Sequence, residues 1–167
     1  MSKLKFLLAA LFICALPLQA EENKAPEQKV DQSYGYYSIG AGFPSIFTLN
    51  IGRRVQHQHH AFESGIGITP LIIAIEGHIY ANYLYFPNPN PDSQVYVGLG
   101  GQAGYGVETI DRRSGIGYFK PQFLLGKEYL TGRSEKRFIQ AASGGGYLTT
   151  RGSLFYPNLT VSYGIKF

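Results

Sequence analysis

From Tyr34 to Phe167, apolar side chains recur at every second position, in stretches broken by clusters of Pro, Gly, Asn, Asp and Ser. A period of two puts alternate side chains on opposite faces of an extended chain, so this texture predicts strands rather than amphipathic helices, whose period is near 3.6. Eight strands are expected, over about 34–42, 46–56, 61–69, 71–85, 94–107, 116–130, 137–149 and 159–167. Most reach nine residues or more. Strands of soluble domains average about five or six residues, whereas a tilted strand crossing a bilayer needs about 9 to 11. The expected fold class is therefore all-β, an antiparallel eight-stranded transmembrane β-barrel after a cleaved signal peptide.

Parity separates two faces in each strand. In the fourth, Ile73, Ile75, Gly77, Ile79, Ala81, Tyr83 and Tyr85 oppose Ala74, Glu76, His78, Tyr80 and Asn82. In the second, Phe47, Leu49, Ile51 and Val55 oppose Thr48, Asn50, Gly52, Arg54 and Gln56. A soluble barrel turns its oily face inward and a membrane barrel turns it toward lipid, so periodicity by itself leaves both open. Two further features favour the membrane form. Tyr83, Tyr85 and Phe86 close one strand while Tyr34, Tyr36 and Tyr37 open another, as interfacial girdles would. Gly98, Gly100, Gly104 and Gly106 share the polar face of the fifth strand, giving room in a crowded lumen.

The N-terminal residues read as an export signal. Lys3 and Lys5 precede an apolar run from Phe6 to Leu16, and Pro17 to Ala20 lead into Glu21 and Glu22. Cleavage is expected near Ala20, although Leu18 departs from the small residue usual three positions before the cut. The run is shorter than the roughly 20 residues of a spanning helix. Leu11, Phe12 and Ile13 oppose a lipid-modified Cys14. Residues 21–33 are expected to be a flexible polar lead-in and 34–167 the barrel. Without the two leader lysines, 13 basic residues face 11 acidic ones, so the formal charge of +4 falls to +2. That leaves no basic stripe for nucleic acid. With its one cysteine in the leader, the exported chain is neither a disulfide scaffold nor a thiol enzyme, and no cofactor is expected.

Hairpin register gives candidate site residues. If Thr69-Pro70 is a tight connection with Ile68 opposite Leu71, Glu63 faces Glu76, and two carboxylates need a nearby cation. If His57 to His60 form a four-residue loop, Arg54 falls opposite Glu63 and supplies it. Pairing Gly106 with Tyr118 sets Lys120 across from Gly104. The expectation is a lumenal network of Arg54, Glu63, Glu76 and Lys120, with His78, Asn50, Gln102 and Gln122 above or below. Paired and hydrogen-bonded, these groups would plug an eight-stranded barrel.

Catalysis and metal binding are the rival readings of these polar residues. Glu76, His78 and Ser162 carry the residue types of a lumenal hydrolase or acyltransferase, but no local motif ties a serine to the histidine. The run from Gln56 to His60 offers imidazoles to a metal, and a polar turn explains it as well. No catalytic or metal residue is assigned.

Leu159, Val161, Tyr163, Ile165 and Phe167 alternate with Thr160, Ser162, Gly164 and Lys166. This resembles the terminal strand of bacterial outer-membrane barrels, which ends in Phe and is recognised by the barrel-insertion machinery. From Tyr34 onward the chain looks like the small eight-stranded members of that family, which span structural anchors, adhesion factors and lipid A-modifying enzymes. Stretches such as Tyr36-Tyr37-Ser38-Ile39-Gly40, Gly67-Ile68-Thr69-Pro70-Leu71 and Gly126-Lys127-Glu128-Tyr129-Leu130 also resemble small exported proteins of chlamydia-like bacteria. The resemblance implies an outer-membrane location, lipid as surroundings, a monomer, and a structural or surface-interaction role. The loops near 107–116 and 149–158 would meet an external partner. A lipid-modifying enzyme and a soluble periplasmic ligand-binding barrel are the alternatives. Two features depart from the family's pattern: short external connections at Phe43 to Ser45 and Thr69-Pro70, and long periplasmic ones at 86–93 and 131–136. Pro121, inside a strand, predicts a bulge or bend.

Overall fold

The computed structural model describes residues 30–43, 46–70, 74–108, 115–131, 135–148 and 155–167; the expected signal peptide and its cleavage site lie outside them. Eight strands follow in chain order: β1 (Asp31–Phe43), β2 (Thr48–His57), β3 (His60–Pro70), β4 (Ala74–Tyr85), β5 (Ser93–Glu108), β6 (Gly115–Thr131), β7 (Glu135–Leu148) and β8 (Phe155–Lys166). Each pairs antiparallel with its sequence neighbours, and β8 closes on β1. Closure removes the unpaired edges that an open sheet would expose.

The register fixes the shape. Following cross-strand partners from Asp31 leads through His57, His60, Tyr85, Val97, Leu125, Ala141 and Val161 back to β1 at Ala41, ten residues further along. A stagger of that size over eight strands tilts them about 40° from the axis and gives a backbone radius of about 8 Å, just wide enough for side chains to fill. The connections after β2, β4 and β6 lie at the rim that holds Asp31 and Phe167, here the termini rim; the other four connections form the far rim.

The oily face points out. Ile79, Leu99, Ile66 and Phe123 are more than half exposed on the outer wall, whereas Arg54, Glu63, Asn82 and Gln56 are almost wholly buried inside. Along β5 the outward residues from Val95 to Val107 carry no charge and rise about 30 Å at that tilt.

Several local expectations need correction. β1 starts at Asp31, inside the expected lead-in, because Asp31 and Gln32 pair with His57 and Gln56. Thr69 and Pro70 are not a turn. They continue β3, paired with Glu76 and Ile75. Thr69 points inward to Thr48, 3.3 Å between hydroxyls, while Pro70 sits at the strand end, where a missing donor costs little. The β2–β3 hairpin closes on two residues rather than four, with Gln58 at φ 52°. The β6–β7 connection shrinks to residues 132–134, since Thr131 pairs with Glu135. Pro121 introduces no bulge: the β6–β7 register is the same on both sides of it, and pairing merely lapses at Lys120 and Pro121. The aromatic groups also divide. Tyr37, Tyr83 and Tyr85 are exposed on the outer wall, but Tyr36 and Phe86 are buried within the barrel.

Candidate functional site: the polar lumen

Inward parity brings Arg54 of β2, Glu63 of β3 and Glu128 of β6 to one level near the termini rim. Arg54 is directly opposite Glu63, and its Nε donates to Glu63 Oε2 at 2.9 Å while Nη2 also donates there. Its Nη1 donates across the lumen to Glu128. The guanidinium lies over the rings of Tyr96 and Phe138, 4.7 and 4.9 Å from their centroids. A planar, five-donor cation can satisfy two carboxylates and stack on aromatic faces at once; an ammonium could not do all three.

Each carboxylate is further satisfied. Asn82 Nδ2 donates to Glu63 Oε1 at 2.8 Å. Glu128 accepts from Tyr34, from Gln94 Nε2 at 2.7 Å and from Lys166 Nζ at 3.0 Å. Lys166 Nζ stands 3.4 Å above the Tyr34 ring. Toward the rim, Gln56 exchanges hydrogen bonds with Gln94 at 3.1 and 2.8 Å. An apolar patch of Ala61, Leu84, Phe86, Tyr96, Leu124 and Ala142 fills the remainder of this level. Phe86, just past β4, tucks in against Tyr96 and is held by its N–H on the His59 carbonyl at 2.7 Å.

The other expected residues form a separate, looser layer toward the far rim. Lys120 Nζ is 3.8 Å from Glu76 Oε2, an ion-pair distance too long for a hydrogen bond. Glu76 lies across from Thr69 and Gly106, and Glu63 across from Asn82, so the two carboxylates expected to face each other do not. The error follows from reading Thr69-Pro70 as a turn. Lys120 lies across from Gln102 rather than Gly104, a shift of two that keeps its face. The Tyr118 ring occupies the space over Gly104, where a Cβ would strike it. His78 Nε2 meets Asn50 Oδ1 at 2.8 Å, and Asn50 Nδ2 donates to Ser38 at 3.2 Å. Gln122 Nε2 donates to Asn82 Oδ1 at 2.9 Å and links the two layers. Between them is a cavity of about 60 Å³ lined by Tyr36, His78, Tyr80, Lys120, Asn158 and Ser162 among others, room for a few waters.

His78 Nδ1 has no hydrogen-bond partner, and its Nε2 is taken by an amide. The imidazoles of the β2–β3 turn take separate hydrogen-bonding partners. His57 Nδ1 faces Asp31 at 2.8 Å and His59 Nδ1 faces the Phe86 carbonyl at 2.8 Å, while His60 turns to Tyr83. No group of three metal-ligating side chains converges among the described residues. The C-terminal residues Leu159, Val161, Ile165 and Phe167 are exposed on the outer wall with Tyr163 half-buried, and Phe167 stacks on Tyr37 at 4.4 Å.

Glu128 and Lys166 were missed by sequence reasoning. Both sit on the polar parity of their strands, beside Gly126 and Gly164 respectively, which was the available signal.

No protein-family model and no curated protein matches the chain. Among solved structures, the N-terminal β-barrel domain of Pseudomonas aeruginosa OprF is similar, with a TM-score of 0.59 at 13% identity, covering 83% of this chain and 100% of that one. That likeness shows a shared fold.

Proposed function

We propose that the chain is a monomeric outer-membrane β-barrel with a plugged lumen and a structural or surface-interaction role rather than a catalytic one. The inverted faces carry this reading: Arg54 has no exposed surface while Ile79 and Leu99 are more than 60% exposed. In water such an outer wall is a continuous hydrophobic liability, whereas against lipid it is the favourable arrangement. A soluble ligand-binding barrel needs the opposite polarity. Aromatic side chains flank the apolar band, with Tyr83, Tyr85 and Phe167 toward the termini rim and Phe43, Phe119 and Tyr147 toward the far rim. The shared fold with the OprF barrel points the same way. Surrounding lipid, the insertion machinery acting on Leu159 to Phe167, and an external partner at the far-rim loops are the proposed contacts.

The test is folding in detergent or vesicles, read as a heat-modifiable shift in gel migration. A folded chain that stays monodisperse without detergent overturns the reading.

A further inference from the structure

Among the described residues, the apolar outer wall is interrupted at β2 by a cation with no ion-pair partner. Arg53 points outward from β2, its Nε and Nη2 reaching Ser33 Oγ at 3.2 and 3.1 Å. Among the described residues no carboxylate pairs with it, whereas Arg137, also on the outer wall, is held by Glu135 at 2.9 Å. Ser64 lies directly across from Arg53 on β3, and Gly35 directly across on β1. A guanidinium with five donors therefore sits between two serines, bonded to one hydroxyl.

Around this polar end the wall is shaped. Gly35 accepts the Phe167 N–H on its carbonyl at 3.0 Å, and the Phe167 ring lies 2.6 Å from where a Cβ on Gly35 would be, so only glycine lets the ring close over it. On the far-rim side of Arg53, Ile51 pairs with Ile66, and both are exposed. These residues line one shallow groove, with cation and hydroxyls at one end and aliphatic surface at the other. Arg53 stands four residues from the end of β2, about 10 Å along the axis at this tilt.

We propose that this groove binds one phospholipid of the leaflet at the termini rim. Its phosphodiester meets the Arg53 guanidinium and the Ser33 and Ser64 hydroxyls, and one acyl chain lies along Ile51 and Ile66. The inference rests on the membrane reading above. The guanidinium fork matches phosphate oxygens. The apolar strip continuous with it fits an acyl chain and has no use for free phosphate.

The experiment refolds the full chain in dodecyl maltoside, adds 1-palmitoyl-2-oleoylphosphatidylglycerol, and follows retention of the first lipid by native mass spectrometry. Insertion into vesicles of the same lipid is measured in parallel. Arg53→Gln is expected to weaken retention about fivefold or more, and Arg53→Lys less. The Ser33→Ala, Ser64→Ala double variant, which keeps the cation, should also weaken it. Lys127→Gln removes an outward charge whose direct cross-strand neighbours, Val95 and Ile139, are aliphatic, and should change retention by less than about twofold. Dioleoylglycerol, lacking phosphate, should not be retained. Equal retention by Arg53→Gln, equal retention of dioleoylglycerol, or displacement by equimolar inorganic phosphate overturns the site while leaving the barrel reading intact. Failure of the parent chain to enter vesicles overturns both.

Discussion

Arg54 and Glu63 stand directly opposite each other on β2 and β3, and the same guanidinium reaches Glu128 across the lumen. One side chain thus joins neighbouring strands and opposite walls. Burying these charges, with that of Lys166, is costly, and the cost is offset here by the hydrogen bonds that saturate the carboxylates.

Removing the cation should therefore be worse than removing the Arg54–Glu63 pair. Arg54→Ala leaves the buried Glu63 carboxylate without its cation and Glu128 with Lys166 alone, and should destabilise the barrel by about 3–5 kcal/mol. The double variant Arg54→Met, Glu63→Gln, which keeps the Glu128–Lys166 pair, should recover most of that loss. Urea titration of the folded fraction in vesicles measures both. An Arg54→Ala barrel as stable as the parent would show that the cluster is not coupled.

The depth of a charge on the outer wall reports what covers it. Leu99→Arg, near the middle of β5, should cost about 2–4 kcal/mol in vesicles, and Val107→Arg near the far rim about 0–1. For a barrel surrounded by water both changes would be close to neutral. The same urea titration distinguishes the cases.

The filled lumen predicts electrical silence. Reconstituted in planar bilayers, the protein should show no sustained conductance steps of the size given by a water-filled porin, because Arg54, Tyr96, Phe86 and Phe138 occupy the termini end. Stable large steps would contradict the plug.

Phe167 carries the proposed insertion signal. It stacks on Tyr37 and closes over Gly35, so it also seals the β1–β8 seam. Deleting it should abolish cellular insertion, while chemically refolded protein still folds with a stability loss of about 0.5–1.5 kcal/mol from the lost ring pair. Normal insertion of the truncated chain in cells would remove the proposed signal role.

The strands and their faces were legible because a period of two needs no knowledge of partners. Tyr36 against Tyr37 shows its limit: composition places both in a girdle, although adjacent residues of a strand must point opposite ways. Register was less legible. Thr69-Pro70 has turn composition, yet its alternation continues that of Gly67 and Ile68, and trusting composition moved Glu76 away from its true neighbours. Arg54–Glu63 was found because it joins the two strands of one hairpin. Glu128 was not, since its contact with Arg54 spans the lumen and depends on the closed stagger of all eight strands, which pairwise arithmetic cannot reach.

The ten-residue stagger makes every row of backbone hydrogen bonds a rising spiral that never closes on itself. A local editing error is consequently not local. One residue inserted in mid-strand would invert every later side chain of that strand, handing lumenal polar groups to the outside and aliphatic ones to the interior until the next connection absorbs the slip. Length variation in such a chain is confined to its loops, and each strand behaves as an indivisible word whose letters can be exchanged but not added.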